Sequence, residues 1–465
     1  MDTASVQFEA AHALHRHDRP APGYASYPSA DRFVEAFSGE DYAQALQQRQ
    51  HPVNAQVQPL ALYVHIPFCE SLCYFCKCNK VITGQHERAV SYLHYLEREL
   101  ELHRAEIGSG QVVSQLHLGG GTPTYLSDDE LHRLMAILRR SFRLMPDGDY
   151  SIAVDPRTVD APRIRRLADL GFNRVSFGLQ DFDEAVQKAV HRVQSVEHVY
   201  AVVSAARRSG FSGVGVDLIC GLPRQSPESF SRTVATVIEL RPDRIAMYPY
   251  EHAPVRFTPQ RHIANAELPL AATRQRMLSN ATQALTRAGY VYIGMDDFAL
   301  ATDPLAMAKR QGRLSRSWNG YSSQPDGDLI GLGVSALGRI GATYSQNAGS
   351  IANYYDLLDQ GQFPVVRGLT LTRDDGVRRA IIMALMCQGQ LSFESIELSY
   401  LLDFSSYFAG EMKALQRLAE LDLVILDEAG IQLTANGLLT LPQVAMVFDR
   451  YLQNDYSRTR FAQII

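Results

Sequence analysis

The chain has 465 residues, of which 46% are hydrophobic and 20% are charged, and its formal net charge is -5 at pH 7. This composition is ordinary for a globular protein, and the small negative charge gives no electrostatic reason to expect nucleic-acid binding. The polar N-terminus lacks the apolar core of a signal peptide, and no run of eighteen apolar residues occurs. We therefore expect a cytoplasmic protein of two or three domains that binds neither nucleic acid nor a membrane.

Beyond an N-terminal arm (1–55) with little periodicity, six strand-like runs alternate with helical segments. The strand-like runs cover residues 61–66, 115–121, 149–156, 174–180, 213–223 and 244–250. Between them, segments such as 89–106 and 129–145 carry apolar residues three and four apart, which indicates amphipathic helices. Strands that alternate with helices predict an α/β fold of parallel units, closed or partly closed as a barrel.

Four of the six cysteines lie in the run CESLCYFCKC, directly after the first predicted strand. Cys69, Cys73 and Cys76 have the spacing C-x3-C-x2-C, which can bind three irons of a cubane cluster and leave the fourth iron open. A structural zinc site is an alternative, although it usually has two C-x2-C pairs set well apart. A disulfide framework is unnecessary in a chain of this length. Cys220 and Cys387 lie in apolar runs, which predicts that they pack in the hydrophobic core.

Polar residues and glycines follow several of the predicted strands. In a parallel β/α barrel the active site forms at the C-terminal ends of the strands, so these residues should converge on one rim. Three consecutive glycines either let the backbone approach a ligand or form a tight turn. The candidates at the strand ends are Gly119, Gly120, Gly121, Thr122, Gln180, Asp181, Asp217, Tyr250, Glu251 and His252.

The region after the sixth strand predicts mixed structure and then a smaller module. Residues 268–290 have helical periodicity, 289–299 resemble a strand, and glycines recur from 331 to 338. From Leu369 onward, helices precede a β-hairpin with its turn at 428–430, as in a winged-helix module. The hairpin region is acidic where a DNA contact would be basic, so a lid over the barrel is the better interpretation.

These motifs together resemble those of radical S-adenosylmethionine (SAM) enzymes and, more narrowly, of the oxygen-independent coproporphyrinogen III oxidases, the HemN group. The resemblance covers nearly the whole chain and rests on YVHIPFC, CYFCKCNK, QLHLGGGTPTYL, FNRVSFGLQDF, VDLICGLPRQSPESF, GYVYIGMDDFA, DLIGLGVSALGRIG and LTRDD. It implies a partial (βα)6 TIM-like radical SAM barrel with its extension over 56–366. It also implies an N-terminal lid over 1–55, otherwise a loosely ordered terminus, and a mainly helical, winged-helix-like domain over 367–465.

The resemblance also implies a set of site residues. Cys69, Cys73 and Cys76 would bind a four-iron four-sulfur cluster, with Cys78 as a nearby non-ligand, and SAM would chelate the open iron. Tyr63 and His65 would be catalytic residues close to the cluster. The residues implied to bind SAM are Tyr63, Gly120, Gly121, Thr122, Gln180, Arg192, Asp217 and Leu337.

The implied reaction is the oxidative decarboxylation of two propionates of coproporphyrinogen III to vinyl groups, giving protoporphyrinogen IX in anaerobic haem biosynthesis. A 5′-deoxyadenosyl radical would remove a hydrogen from the β-carbon of each propionate, and loss of CO2 and one electron would leave the vinyl group. Lys77, Arg256 and Arg316 are either guides for the propionates or solvated surface cations. The resemblance further implies a tetrapyrrole substrate, an electron donor protein and a monomeric enzyme.

The sequence departs from the family pattern at several positions linked there to substrate or to a second SAM. These are Gly23 for arginine, Ala153 for glutamate, Asp297 for histidine, Trp318 and Asn319 for Phe-Gln, and Leu337 for isoleucine. The pocket is therefore repacked around the same substrate, or the chain is a diverged relative such as a methyltransferase acting on another tetrapyrrole or aromatic substrate. A third hypothesis is haem binding or delivery, with His117, His191 or His252 as the axial ligand.

Overall fold

The computed structural model describes residues 26–49 and 58–453. The first ten strands are β1 (Leu60–Ile66), β2 (Phe68–Cys69), β3 (Val81–Ile82), β4 (Gln111–Gly120), β5 (Phe142–Val154), β6 (Arg174–Gln180), β7 (Gly213–Cys220), β8 (Arg244–Pro249), β9 (Tyr290–Gly294) and β10 (Asp297–Leu300). They are followed by β11 (Ser315–Ser317), β12 (Gly320–Ser322), β13 (Leu329–Leu332), β14 (Leu337–Ile340), β15 (Thr343–Asn347), β16 (Val365–Thr370), β17 (Gln390–Ser392), β18 (Val424–Leu426) and β19 (Gly430–Leu433).

The helices lie between these strands and in the C-terminal region. The first nine are α1 (Gly39–Arg49), α2 (Glu87–Ile107), α3 (Asp128–Ser141), α4 (Ala161–Asp169), α5 (Glu184–Ala189), α6 (Val196–Arg208), α7 (Pro227–Leu240), α8 (Ala271–Arg287) and α9 (Pro304–Arg310). The others are α10 (Ile351–Asp359), α11 (Arg373–Gln388), α12 (Phe393–Tyr400), α13 (Phe404–Tyr407), α14 (Ala409–Glu420), α15 (Ala435–Leu439) and α16 (Leu441–Ala445).

Twelve strands form one sheet in the order β16-β15-β14-β13-β1-β4-β5-β6-β7-β8-β10-β9. The strands β1 and β4 to β8 are parallel neighbours, and β13 adds a parallel strand on the other side of β1. The outer strands pair antiparallel. The order runs from one edge to the other rather than in a circle, so the predicted α/β fold and its partial six-unit barrel are confirmed.

Side-chain alternation along the parallel strands separates the core from the inner face of the barrel. On β6, Val175, Phe177 and Leu179 are buried in the main hydrophobic core together with helical side chains. Ser176 and Gln180 point the other way, because successive side chains of a strand lie on opposite faces. The inner face therefore carries the polar residues at the strand ends.

Two predictions are wrong, one about where a helix ends and one about the number of strands in a segment. The helix predicted over 129–145 ends at Ser141, because β5 begins at Phe142 and residues 142–144 already pair with β4. The single strand predicted over 289–299 is a hairpin of β9 and β10. Met295 and Asp296 connect them with φ of 48° and 65°, the left-handed values that a tight hairpin turn uses.

The C-terminal residues form a second hydrophobic core, which extends from Val377 to Phe448. Its helices surround a three-stranded antiparallel sheet in the order β17-β19-β18. The hairpin turn predicted at 428–430 lies between β18 and β19, as expected. Tyr27, from the N-terminal segment, inserts into this core and donates a hydrogen bond to Asp375 Oδ1 at 2.9 Å.

Part of the predicted N-terminal arm packs on the barrel. Tyr42 and Leu46 of α1 are buried in the main core, and the Tyr42 hydroxyl lies 3.0 Å from His103 Nε2. Residues 1–25 and 50–57, and with them the departure at Gly23, lie outside the described residues. Among the helices of the described ranges, none is both long and apolar enough to cross a membrane.

Candidate active site

The cysteine-rich loop follows β1 at the C-terminal end of the parallel strands. Cys69 closes β2, which pairs with β3, and its Sγ lies 3.4 Å from Thr122 Oγ1. Cys73 is buried, and its Sγ accepts hydrogen bonds from Arg192 Nη1 at 3.4 Å and from Arg157 Nη2 at 3.5 Å. All six cysteines of the chain are free thiols. The loop therefore presents its sulfurs to cationic and polar partners instead of to one another as disulfides.

The surroundings of the thiols suit a polynuclear cluster. Hydrogen bonding with Cys78, assisted by Lys80, lowers the pKa of Cys76, whereas burial raises the pKa of Cys69 to about 11. Two guanidinium groups lie beside the Cys73 sulfur. In residues 26–49 and 58–453, no three His, Cys, Asp or Glu side chains converge as they would on one metal ion. The C-x3-C-x2-C spacing, which can place each sulfur on a different iron, remains the observation that favours a four-iron cluster over zinc.

Asp155, directly after β5, holds the two arginines beside Cys73. Its Oδ2 accepts hydrogen bonds from Arg192 Nη1 at 3.0 Å and from Arg157 Nη2 at 2.7 Å. The Arg192 Nη2 atom also donates to the Gly178 carbonyl at 2.7 Å. Burial alone would raise the pKa of Asp155, but the two guanidinium groups hold it below its usual value. An ionised Asp155 therefore fixes two cations against one cysteine.

Two polar atoms close to this network are buried without a hydrogen-bond partner, namely Gln180 Oε1 and Arg192 Nε. Gln180 ends β6 with a φ of 67°, a left-handed value that is uncommon for a residue other than glycine. Gly178 lets the two side chains meet, since a Cβ there would lie 2.9 Å from Gln180 Nε2 and 3.1 Å from Arg192 Nη2. A buried acceptor and a buried donor without partners, next to a strained backbone, mark a place for a polar ligand.

The glycines at the end of β4 let that strand approach β1 and the cysteine loop. A Cβ at Gly121 would lie 2.7 Å from the Pro67 carbonyl oxygen, and a Cβ at Gly120 would lie 2.8 Å from the His65 ring. The Gly121 N–H donates to the Ile66 carbonyl at 2.8 Å. The protein itself therefore requires these glycines, whatever ligand they contact.

Tyr63 and His65 lie on β1 immediately before the cysteine loop. The Tyr63 hydroxyl is 3.1 Å from His65 Nδ1, and His65 Nε2 is 2.9 Å from the Asn79 carbonyl oxygen. Because a carbonyl only accepts, Nε2 carries the proton and Nδ1 accepts from the Tyr63 hydroxyl. Burial lowers the pKa of His65 to about 4, so the ring is neutral at physiological pH. The Tyr63 ring stacks on His117 with 5.9 Å between centroids.

Two carboxyl groups lie on the inner face, on β7 and β10. Asp217 on β7 accepts a hydrogen bond from Ser176 Oγ at 3.1 Å, and Asp297 on β10 is level with it across β8. Burial raises the pKa of Asp217 to about 6 and the pKa of Asp297 to about 7. Arg316 Nη1 lies 3.9 Å from Asp297 Oδ2 and opposes this rise. The barrel interior thus holds carboxyl groups that titrate close to neutral pH.

Comparison with known proteins assigns this arrangement to a family. The Radical SAM superfamily model matches residues 63–237, and the HemN C-terminal domain model matches 371–440. An oxygen-independent coproporphyrinogen III oxidase from Pseudomonas aeruginosa is 46% identical over 97% of this chain and 98% of its own length. One from Escherichia coli is 44% identical over 97% of each chain. The chain belongs to the oxygen-independent coproporphyrinogen III oxidase family.

The solved structure of coproporphyrinogen III oxidase (HemN) from Escherichia coli, described as a radical SAM enzyme, has the same fold. It superimposes with a TM-score of 0.89 at 44% sequence identity, covering 95% of this chain and 98% of that chain. Family membership confirms the resemblance seen in the motifs and the radical SAM barrel that it implied.

The oxidase-family positions expected at the site lie in two groups. Around the cysteine loop the structure brings together Tyr63, His65, Cys69, Cys73, Cys76, Gly120, Gly121, Thr122, Gln180 and Arg192. Asp217 lies on β7, level with Gly178 of β6, and Leu337 begins β14 beside Gly331, which pairs with Tyr63. Cys220 and Cys387 lie in hydrophobic clusters, which confirms their predicted packing.

The departures from the family pattern also have distinct surroundings. Ala153 pairs with Ser176 on the neighbouring strand. The lost glutamate does not leave Arg192 without a carboxylate, because Asp155 binds it at 3.0 Å. Trp318 and Asn319 form the turn between β11 and β12.

The histidines considered as haem ligands have partners within the protein. His191 Nδ1 lies 2.8 Å from the Leu72 carbonyl, and the His191 ring stacks on Tyr74 at 5.2 Å. His252 Nδ1 lies 2.9 Å from the Tyr250 hydroxyl, and His117 Nδ1 lies 2.8 Å from Ser151 Oγ. These contacts hold the cysteine loop and the barrel interior.

Sequence reasoning missed the roles of Asp155 and Arg157, although both follow β5 directly in VDPR. Of the three candidate propionate guides, Lys77 forms a 2.9 Å ion pair with Glu251, and Arg256 lies over the Phe257 ring at 5.3 Å. Only Arg316 among the three reaches the barrel interior.

Proposed function

We propose that this protein is an oxygen-independent coproporphyrinogen III oxidase that converts two propionates of coproporphyrinogen III into vinyl groups. The product is protoporphyrinogen IX, an intermediate of anaerobic haem biosynthesis. Each conversion releases CO2, transfers one hydrogen atom and passes one electron to an acceptor. The observation that carries the proposal is the cysteine loop with Cys73 between two guanidinium groups, in a chain that is 46% identical to a relative of that name.

The residues fit a four-iron four-sulfur cluster and SAM. Cys69, Cys73 and Cys76 would bind three of the irons. When bound, the cluster and SAM supply the 5′-deoxyadenosyl radical that starts the reaction. Arg192 Nε is a free donor for a carboxylate of SAM, and Gln180 Oε1 is a free acceptor for a ribose hydroxyl.

Tyr63 and His65 support this site without moving a proton. The Nε2–H of His65 is engaged by the Asn79 carbonyl and the Tyr63 hydroxyl by His65 Nδ1, so neither proton is available for transfer. Both side chains therefore orient the loop and fill the space beside the cluster, which excludes water from a radical reaction. Asp217 is the remaining candidate for the ribose of SAM.

The proposal includes one SAM. Ala153 provides no carboxylate at the position where the family pattern has glutamate, and Asp155 already engages Arg192. An electron donor protein, a monomeric state and a cytoplasmic location, expected from the resemblance and the composition, complete the proposal.

The test is anaerobic reconstitution with iron and sulfide, followed by incubation with coproporphyrinogen III, SAM and a reductant. We expect 5′-deoxyadenosine and a product lighter by two CO2 and four hydrogen atoms. A product heavier by a methyl group would support the methyltransferase hypothesis instead, and tight haem binding without turnover would support haem delivery.

Matched cysteine variants test the ligand assignment. We expect Cys73→Ser to lose most of the cluster iron, and Cys78→Ser to keep an iron content close to that of the wild type. Iron loss in Cys78→Ser with iron retained in Cys73→Ser would refute the assignment.

A further inference from the structure

A turn after α5, residues 190–192, contacts the middle of the cysteine loop, residues 72–74, one residue to one residue. The contacts are the Val190 carbonyl with the Tyr74 N–H at 3.0 Å, His191 Nδ1 with the Leu72 carbonyl at 2.8 Å, and Arg192 Nη1 with Cys73 Sγ at 3.4 Å. They join backbone to backbone, side chain to backbone and side chain to sulfur. The turn therefore fixes the path of the loop as well as one of its thiols.

His191, in the middle of this turn, has an unusual backbone. Its φ is 55°, a left-handed value that is uncommon for a residue other than glycine. Its Nδ1 carries the proton, because the Leu72 carbonyl can only accept. Its ring also stacks on the Tyr74 ring, with 5.2 Å between centroids and 14° between planes. A strained residue whose side chain makes two contacts with one loop indicates that its position matters.

The segment after β8 holds the same part of the loop. The His262 ring stacks on the Tyr74 ring with 4.6 Å between centroids and 21° between planes. Gln260 is fully buried, and its Nε2 donates to the Phe75 carbonyl at 3.3 Å and to the Glu251 carbonyl at 3.0 Å. The Tyr74 ring therefore stacks with two imidazole rings that come from different parts of the chain.

The apolar side chains of the loop pack on a separate hydrophobic cluster. Its buried members come from α5 and from the segments after α5, β7 and β8, namely Val186, Val190, Leu222, Tyr250 and Ile263. Tyr74 and Phe75 pack against this cluster. Hydrogen bonds, ring stacks and apolar packing thus act on the same two residues, and Cys73 and Cys76 flank them directly in the sequence.

We propose that the 190–192 turn and His262 hold the cysteine loop in its iron-binding conformation before iron arrives, with His191 and His262 as positioning residues. The inference rests on the proposed assignment of the three ligand cysteines. A loop that is already ordered loses little conformational entropy when the cluster is assembled, so more of the binding free energy remains as affinity. A loop ordered only by the cluster would lose that entropy at assembly.

Hydrogen exchange of the full chain, with and without the cluster, tests the order of the loop directly. In the peptide covering residues 70–77, the amides of Tyr74 and Cys76 donate to backbone carbonyls at 3.0 and 3.2 Å. In the iron-free protein we expect these two amides to exchange at least about tenfold more slowly than in the urea-unfolded chain. Cluster assembly should add less protection than folding has already given. Free exchange in the iron-free protein, followed by strong protection on assembly, would overturn the proposal.

Paired variants separate the ring stacks from the hydrogen bond. Tyr74→Phe and His262→Phe keep an aromatic ring and should assemble iron and sulfide at the wild-type rate, whereas Tyr74→Ala and His262→Ala should slow assembly about fivefold. His191→Asn keeps a donor for the Leu72 carbonyl and suits a left-handed backbone, so its rate should lie between those of the wild type and His191→Ala. His132→Ala, which removes an exposed histidine of α3, is the control and should have no effect.

Two further measurements distinguish positioning from a loss of folding. The midpoint of thermal unfolding of iron-free His191→Ala should equal that of the wild type, because this histidine lies at the surface. The reduction potential of its reconstituted cluster should fall, because the Arg192 hydrogen bond to Cys73 loosens and such bonds to sulfur stabilise the reduced cluster. His191→Asn should restore the potential. An unchanged potential together with an unchanged assembly rate in His191→Ala would overturn the proposal.

Failure of this inference can be told apart from failure of the proposed function. If the wild-type enzyme releases CO2 while its loop exchanges freely without iron, only the preordered loop is refuted. If the loop is protected but Cys73→Ser keeps its cluster iron, the ligand assignment is wrong and the proposed function fails with it.

Discussion

Glu99, on α2, is a buried carboxylate surrounded by hydrogen-bond donors, and Glu99→Gln tests whether it titrates near neutral pH. Its Oε2 accepts from the Gly333 N–H at 2.8 Å and from the Tyr354 hydroxyl at 2.6 Å. Its Oε1 accepts from Asn347 Nδ2 at 2.7 Å. Glutamine keeps the shape but replaces one acceptor with a donor, so at least one of the three bonds is lost.

This carboxylate is connected to the candidate site. The Val334 N–H, next to Gly333, donates to the Tyr92 hydroxyl at 2.9 Å, and Tyr92 donates to the His65 carbonyl at 2.7 Å. The turn after β13 is therefore held from one side by Glu99 and from the other by Tyr92. Loosening Glu99 should be transmitted to β1 just before the cysteine loop.

The expected magnitude follows from the pKa of Glu99, which burial raises from 4.5 to about 7. At 1.36 kcal/mol per unit, this difference corresponds to about 3 kcal/mol of folding stability. Between these pH values the folded protein keeps a proton that the unfolded chain has released. The contribution of Glu99 is therefore fully present below pH 4.5 and is lost as the pH rises through 7. The amide of Glu99→Gln has no such dependence, but the lost acceptor costs about 1–3 kcal/mol.

Urea unfolding of the reconstituted enzyme is measured at pH 5 to 8 by circular dichroism without oxygen. It reports both the pH-dependent contribution of Glu99 and the cost of the lost acceptor. At pH 5 we expect Glu99→Gln to be less stable than the wild type by about 1–3 kcal/mol. The difference should shrink with rising pH and close or reverse by pH 8. Glu101→Gln, on the exposed face of the same helix, should differ from the wild type by a small constant amount. A pH-independent difference for Glu99→Gln would refute the reasoning.

Three further substitutions test the cysteine loop and its surroundings. Gly121→Ala should lower the free energy of unfolding by about 1–3 kcal/mol in thermal unfolding and reduce the iron content of the cluster, because its Cβ would meet the Pro67 carbonyl. Gly84→Ala is the matched control. Open space surrounds its Cβ, so neither quantity should change. Asp155→Asn should raise the reduction potential of the cluster in an anaerobic titration followed by electron paramagnetic resonance, because the guanidinium groups beside Cys73 lose their neutralising carboxylate; an unchanged potential would contradict this. Ala153→Glu should leave the rate of CO2 release equal or higher, and a rise from zero would identify this chain as a degenerate copy of the oxidase.

The barrel could be predicted because its strands are short apolar runs separated by helical periodicity. The two errors have local causes. Residues 142–145 continue the three- and four-residue spacing of α3, so the sequence does not mark where β5 begins. The β9–β10 hairpin turns at Met295 and Asp296 instead of at the Asn-Gly or Asp-Gly pair that usually indicates a tight hairpin.

The cysteine ligands could be predicted because their spacing is local in sequence. The partnership of Asp155 with Arg192 could not, since 37 positions separate the two residues and only the packing of β5 beside β6 brings them together. The Glu99 network is similar: a glutamate in a helix normally predicts an exposed face, and its three donors come from positions more than 230 residues later.

The departures from the family pattern lie in two places. Trp318 and Asp297 lie around Arg316, whereas Ala153 lies near Asp155. Trp318 lines a small cavity together with Arg316, and Asp297 forms an ion pair with that same arginine. Both departures therefore alter the surroundings of the same guanidinium, that of Arg316. Ala153 instead lies on β5 two positions before Asp155, which engages Arg192 beside Cys73. Near the cysteine loop, Asp155 and its two arginines remain in place beside Cys73 although the glutamate is lost, whereas the departures at Trp318 and Asp297 both lie around Arg316.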